Sequence, residues 1–411
     1  MTSRVKQGNR IPRARRRMAI AGLALAALWS GIMVASSAQA QTYNVLYNFT
    51  GGTDGGYPIA GLIRDAAGNL FGTTAAGGTS GNGTVFKVDN TGTETVLYSF
   101  SGSPDGSYPG AGLIRDRAGN LYGTTIDGGL FTPLSCFGGC GSVFKVDTTG
   151  AETILHSFTG GVDGAEPAAG LLRDAAGNLY STTSLGGTFN AGTVFKIDGT
   201  GRETVLHSFK GGADGSEPFG SLVVGSAGKV YGTTYKGGDV ACRTRGCGHG
   251  TVSQLDATGT ETVLYSFAGT PDGEYPYAGL VRDAAGNLYG TTEYGGRSGA
   301  GTVFKLDNSG KETVLYSFTG GTDGSGVLGG VIRDAAGNLY GTTLYGGDFD
   351  RGTIFKLDTT GTKTILHSFT EADGAYPFAA LIRDTAGNLY GTTETGGVYE
   401  HGVVFVLNHS R

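Results

Sequence analysis

The sequence predicts an all-β fold, a seven-bladed β-propeller of four-stranded antiparallel blades, and three observations predict it. One motif, first met as LIRDAAGNLFGTT from Leu62 to Thr74, returns with small changes at Leu113, Leu171, Leu222, Leu280, Val331 and Leu381. Successive copies lie 51, 58, 51, 58, 51 and 50 residues apart, a period that belongs to propellers and solenoids. The ends of the repeat region also complete one another. YNVLYNF (43–49) reads as a fourth strand with no blade before it, and GVVFVLNHSR (402–411) as a third strand with none after it. A ring needs that offset, because the N-terminal strand then covers the open edge of the last blade, whereas an open solenoid gains nothing from it.

Residues 1–40 read as a cleavable export signal: a basic lead ending in Arg15, Arg16 and Arg17, an apolar run from Ala19 to Val34, then Ala38-Gln39-Ala40. The run falls short of the roughly 20 apolar residues that a bilayer span requires. Seven of the 30 basic residues and no acidic ones lie in this segment, so the remaining chain has 23 basic against 35 acidic residues, a formal charge of −12. Such a surface repels nucleic acid and anionic lipid. The expectation is a single propeller over 41–411, exported to the periplasm or the extracellular space, monomeric, with no membrane span once the signal is removed.

Within the first period the four strands are AGLIRD (60–65), NLFGTT (69–74), GTVFKVD (83–89) and TETVLYSF (93–100), all rich in β-branched and aromatic residues. No stretch after residue 40 keeps helical periodicity. Asp65-Ala66-Ala67-Gly68 joins the first pair and Asp89-Asn90-Thr91-Gly92 the second pair of strands. D-x-x-G suits a hairpin in which Asp caps a type I turn and Gly takes the left-handed position. The fourth copy, LVVGSAGKVYGTT, replaces the Asp by Gly225 but keeps Gly228. Strand order puts these short hairpins on one rim. The opposite rim receives the between-blade connections and the loops headed by Gly-Gly, which carry most of the variation between copies; a site on a rigid scaffold is expected there.

The G-N-L-Y-G-T-T-x-x-x-G-G core, with the G-T-V-F-K-x-D and V-L-Y-S-F strands, resembles the GloVer tandem-repeat family of exported bacterial proteins over residues 43–408. The resemblance implies export and a propeller-like fold. It supplies no catalytic residues.

The four cysteines lie in the two long variable loops, as CFGGC and CRTRGC. In an exported chain this tight, even spacing favours two local disulfides, Cys136–Cys140 and Cys242–Cys247. Cys242, Cys247 and His249 provide three donors, one short of a closed zinc site, so no metal is assigned. No cofactor motif is present. His156, His207 and His367 alternate with Tyr47, Tyr98, Tyr265 and Tyr316 at one strand position, which marks a packed aromatic with a polar tip. The recurring Arg64-Asp65 pair and its five counterparts read as turn caps and inter-blade ion pairs. Asp54 and its six counterparts each offer one carboxylate, too few for a calcium loop.

Where the copies diverge is more informative. Glu293, Asp348, Asp350, Glu394, Glu400 and His401 stand in the variable loops of blades 5–7, a set able in principle to perform acid–base chemistry on a sugar. Tyr57, Tyr108, Tyr275 and Tyr376, each before a Pro, are candidate stacking platforms. The favoured function is a non-enzymatic propeller that binds a polymer or partner protein through its variable rim. The alternatives are an extracellular carbohydrate hydrolase or lyase centred on the acidic loops, and a passive structural module of the envelope.

Overall fold

The computed structural model describes residues 41–130, 136–238 and 246–409; the expected export signal lies outside them. Thr42–Asn48 pairs antiparallel with Val403–Asn408, so the N-terminal strand completes the seventh blade. Its register carries a bulge between Val45 and Tyr47. The corresponding outer pair of every other blade has the same bulge, between Val85 and Phe86 in the first, for example. The segment separated from its blade in sequence therefore folds as any other fourth strand.

The chain forms seven four-stranded antiparallel sheets, each in sequential order except the one closed by the first strand. Among the described residues two short 3-10 turns and a two-residue pairing of Gly273–Glu274 with Tyr294–Gly295 are added to this pattern, and no helix is long and apolar enough to cross a membrane. The D-x-x-G hairpins form as their chemistry predicts. Asp65 Oδ1 accepts the amides of Ala67 (3.0 Å) and Asn69 (2.9 Å), and Gly68 sits at φ +94°. In the fourth blade Gly225 leads into a 3-10 turn, Ser226–Gly228, and Gly228 keeps a positive φ.

The G-T-T triplet, replaced by S-T-T at Ser181 in blade 3 alone, explains why the phrase recurs, since each residue has its own neighbour. A β-carbon at Gly72 would come within 2.6 Å of the ring tip of Phe86, its partner on the facing strand. The Thr73 hydroxyl donates to Ala111 O in the next blade (3.4 Å), and Thr392 closes the ring by donating to Ala60 O (3.1 Å). The hydroxyls of Thr74 and Thr84 bond one another across the sheet (2.8 Å). Core phenylalanines then mesh from blade to blade: Phe49 meets Phe86 edge-on at 5.0 Å, and Phe100 meets Phe144 likewise.

Two expectations need correction. The first strand is only Ile63–Arg64 rather than 60–65, because Ala60 and Gly61 run along the axis, where the equivalent segments of neighbouring blades abut. Nor do the recurring arginines form ion pairs between blades: among the described residues none of the six does so. Each guanidinium instead lies over an aromatic ring of the preceding blade, as Arg64 over Tyr390 (5.5 Å) and Arg333 over Tyr289 (5.6 Å).

Candidate functional site

On the loop face, each blade begins with a residue whose backbone is left-handed. Tyr57, Tyr108, Glu166, Glu217, Tyr275 and Tyr376 have φ between 55° and 60°, and Gly326 takes this place in blade 6. Left-handed non-glycine residues are strained, and here two hydrogen bonds hold the strain in place. Tyr57 N donates to His401 O of the preceding blade (2.9 Å), and Tyr57 O accepts from Ala75 N of its own (3.0 Å). The same pair recurs at all seven positions, for example Tyr275 N to His249 O and Glu293 N to Tyr275 O. These residues stitch blades together. The four tyrosines singled out in the sequence therefore share a backbone role with two glutamates and a glycine.

The stitch orients two further rings of side chains about the axis. Two residues after the strained position, the chain enters the mouth of the central channel, a cavity of about 330 Å³ whose shaft is mainly Gly and Ala. Phe219, Tyr277, Phe378, Ile59 and Leu328 occupy this ring in five blades, but Gly110 and Ala168 occupy it in blades 2 and 3. Outside it stands the residue that follows G-T-T. Ile126 demonstrates where that position points, because its Cδ1 would lie 2.9 Å from a β-carbon on Gly110. Glu293 and Glu394 hold the same position in blades 5 and 7, and Tyr235 holds it in blade 4.

The mouth is consequently lopsided. Phe219 stacks on Tyr277 (4.9 Å), Phe378 meets Tyr277 edge-on (5.4 Å), and the Tyr235 hydroxyl donates to Glu293 Oε2 (2.8 Å). Burial, then Tyr108, then Glu293 push the Tyr277 phenol up to about 12. Burial, then Glu394, then Asp127 raise that of Tyr108. Phenols and carboxylates from blades 2, 5 and 7 thus feel one another around the axis.

The remaining acidic candidates do not join them. Asp350 Oδ1 caps its own loop by accepting Gly346 N (2.9 Å), Asp348 and Glu400 are exposed, and His401 packs edge-on against Tyr57 (5.3 Å). His249 Nδ1 lies 2.8 Å from Glu274 Oε2. Among the described residues no group of three or more His, Cys, Asp or Glu side chains is placed to hold a metal ion. Cys136 and Cys140 are disulfide-bonded, whereas Cys242, and with it the second expected bridge, lies outside the described residues. Phe219, Tyr277 and Phe378 were missed in the sequence because each copy varies there singly. Alignment on the preceding Pro would have shown large rings in blades 4, 5 and 7 against small residues in blades 2 and 3.

A model of the Gloeobacter/Verrucomicrobia repeat matches residues 29–246 and 245–405, which together cover the propeller. The chain belongs to that repeat family. None of the curated proteins compared matches the sequence. Among solved structures, the extracellular domain of a protein assigned as a hybrid two-component system of B. thetaiotaomicron aligns over 90% of this chain at 11% identity and a TM-score of 0.58. The chain spans only 40% of that domain's length. A protein of Bacteroides uniformis assigned as a 6-phosphogluconolactonase aligns over 80% of this chain and 88% of its own at 17% identity, with a TM-score of 0.50. At such identities the likeness is one of fold, which this member of the Gloeobacter/Verrucomicrobia repeat family shares with proteins assigned to different activities.

Proposed function

We propose that this repeat-family propeller is an exported binding module that holds an extended polymer against its loop face. One observation carries the reading. Of the twelve exposed large apolar side chains among the described residues, all but Val224 and Ile365 stand on the loop face. Phe189, Phe349 and Tyr399 occupy the same loop position in blades 3, 6 and 7, each just before a left-handed residue that fixes the tip. Exposed aromatics on rigid, separated tips suit a ligand that spans several blades, because stacking area is gained with little loss of conformational freedom. The basic, apolar N-terminal segment and the loop disulfide support export.

The test is retention on a panel of soluble and insoluble polysaccharides, with reducing-end release assayed in parallel. Retention is expected, weakened at least tenfold by combined Phe189→Ser, Phe349→Ser and Tyr399→Ser, without release of reducing ends. Absence of retention on every polymer would count against the reading. Turnover abolished by Glu394→Gln or Asp350→Asn would replace it with the hydrolase or lyase alternative.

A further inference from the structure

At the channel mouth, the aromatic rings form a corner rather than a flat stack. Tyr235 stands nearly perpendicular to both Phe219 (5.6 Å, 78°) and Tyr277 (6.0 Å, 89°), and Phe378 is perpendicular to Tyr277 (5.4 Å, 90°). Gly110 and Ala168 place no large side chain of their own at the mouth, and Ile126 and Ile59 reach over Gly110 instead. Two carboxylates flank the mouth at the position that follows G-T-T, Glu293 in blade 5 and Glu394 in blade 7. Glu293 takes the Tyr235 hydroxyl and is close enough to Tyr294 to raise its phenol. Glu394 is partly buried, yet among the described residues its side chain has neither a hydrogen bond nor an ion pair. Burial raises its pKa, as expected of a carboxyl group without a counter-charge.

The cations nearby are already committed. Lys236 pairs with Glu217 (3.1 Å) and Arg351 pairs with Glu371, each also lying over a tyrosine ring. A neutral ligand would leave Glu394 desolvated and unpaired. A hard divalent ion would require about six oxygen donors, which walls of aromatic carbon do not provide. An organic cation satisfies both features, since aromatic faces and carboxylates attract it together.

We propose that the axial mouth binds a ligand bearing an organic ammonium group, held against Tyr277 and Phe378 and neutralised by Glu394 and Glu293. This rests on the loop face being a binding surface and names the chemistry of what enters it. The ammonium can be quaternary on a small molecule or primary on an amino sugar, and the experiment separates these sources.

The full chain is titrated calorimetrically with choline and with a glucosamine trimer. Their neutral counterparts, 3,3-dimethylbutanol and the N-acetylglucosamine trimer, are titrated alongside. At least one ammonium probe should bind, and its neutral counterpart should bind at least tenfold more weakly. Glu394→Gln, which keeps the shape and removes the charge, should lower affinity about tenfold. Tyr277→Leu should do the same with an unchanged far-ultraviolet circular dichroism spectrum and denaturant midpoint, while Val224→Ser, exposed away from the loop face, should leave the ammonium probe's affinity unaltered. Equal affinity for charged and neutral probes, no binding of either ammonium probe, or indifference to Glu394→Gln would overturn the proposal. If polymer retention persists while both ammonium probes fail, the axial site falls and the loop-face reading stands. If an ammonium probe binds without polymer retention, the reverse holds.

Discussion

Blades 4 and 5 occupy adjacent places in one ring, yet the first lacks most of what the second uses. In blade 5, Asp283 caps the first hairpin through Asn287 N (2.8 Å) and takes the Tyr289 hydroxyl (3.1 Å). Phe304 is fully buried across Gly290, and Arg282 reaches back over Tyr231 of blade 4 (6.0 Å). In blade 4, Gly225 supplies no cap, Val224 supplies no guanidinium, and Ser253 replaces the core phenylalanine. A void of about 20 Å³ remains beside Ser253, lined by Val194, Phe209 and Leu222. The serine gives one compensation: its hydroxyl donates to Glu261 (2.5 Å). The equivalent oxygen of Glu312 in blade 5 is buried without a partner. A blade stripped of cap, ring and cation therefore still folds, because the backbone stitches and threonine contacts to its neighbours survive: Glu217 N bonds Ala191 O (3.0 Å), and Thr233 bonds Ala278 O (3.0 Å).

The largest effect should come from making blade 5 resemble blade 4. Phe304→Ser removes a buried ring from a filled site and is expected to cost about 3–5 kcal/mol, read from the denaturant midpoint. A loss below about 1 kcal/mol would mean that core packing, like the caps, is dispensable in any blade.

Next in size is the carboxyl of the outer strand. Burial, followed by the charge of Asp272, pushes Glu312 up to about 7, from an ordinary carboxyl range near 4.5. A pKa raised on folding means the folded state holds the proton more tightly. Its contribution is complete below about pH 4.5 and is lost as pH rises through about 7. Glu94 and Glu152, also at about 7, act in the same window. Glu312→Gln should therefore make the protein more stable at pH 8 than the parent, by on the order of 1 kcal/mol after solvent screening of a half-exposed group. Melting curves at pH 5 and pH 8 check this. An unchanged difference between the two would dismiss Glu312 as a source.

Restoring the cap in blade 4 should matter less. Gly225→Asp suits the extended backbone there (φ −104°), but its β-carbon would meet the Tyr231 ring at 2.4 Å, so that ring must swing away. The net gain should be about 0.5 kcal/mol in denaturant titration, below the roughly 1 kcal/mol typical of an unobstructed cap. Equally small, Arg282→Ala should cost about 0.5 kcal/mol. A double-mutant cycle with Tyr231→Leu isolates that term, and zero coupling would reduce the ring contact to mere proximity.

Much of the scaffold was legible before any coordinates. Asp65 and Gly68 announce their turn locally, alternation marks the strands, and Tyr43 and Phe405 advertise a missing partner. Less of the candidate site was legible. The tyrosine before Pro58 looks like a stacking platform in sequence, yet its left-handed backbone depends on a carbonyl at His401, more than 300 residues away. The acidic residues of blades 5–7 look like one cluster, but Asp350 caps its own exposed loop while Glu293 accepts the Tyr235 hydroxyl and Glu394 stands apart in blade 7.

By itself the sequence determined the repeat, its strands, its tight turns and the pairing that closes the ring, because each depends on neighbours in the chain or on backbone hydrogen bonds that any strand can make. Tertiary structure alone decided that Phe219, Tyr277 and Phe378 form one aromatic corner, with Glu394 left partly buried and unpaired beside the same mouth. Those residues lie in different blades and meet only at the axis, so their relation is a property of the ring's curvature and not of any single repeat.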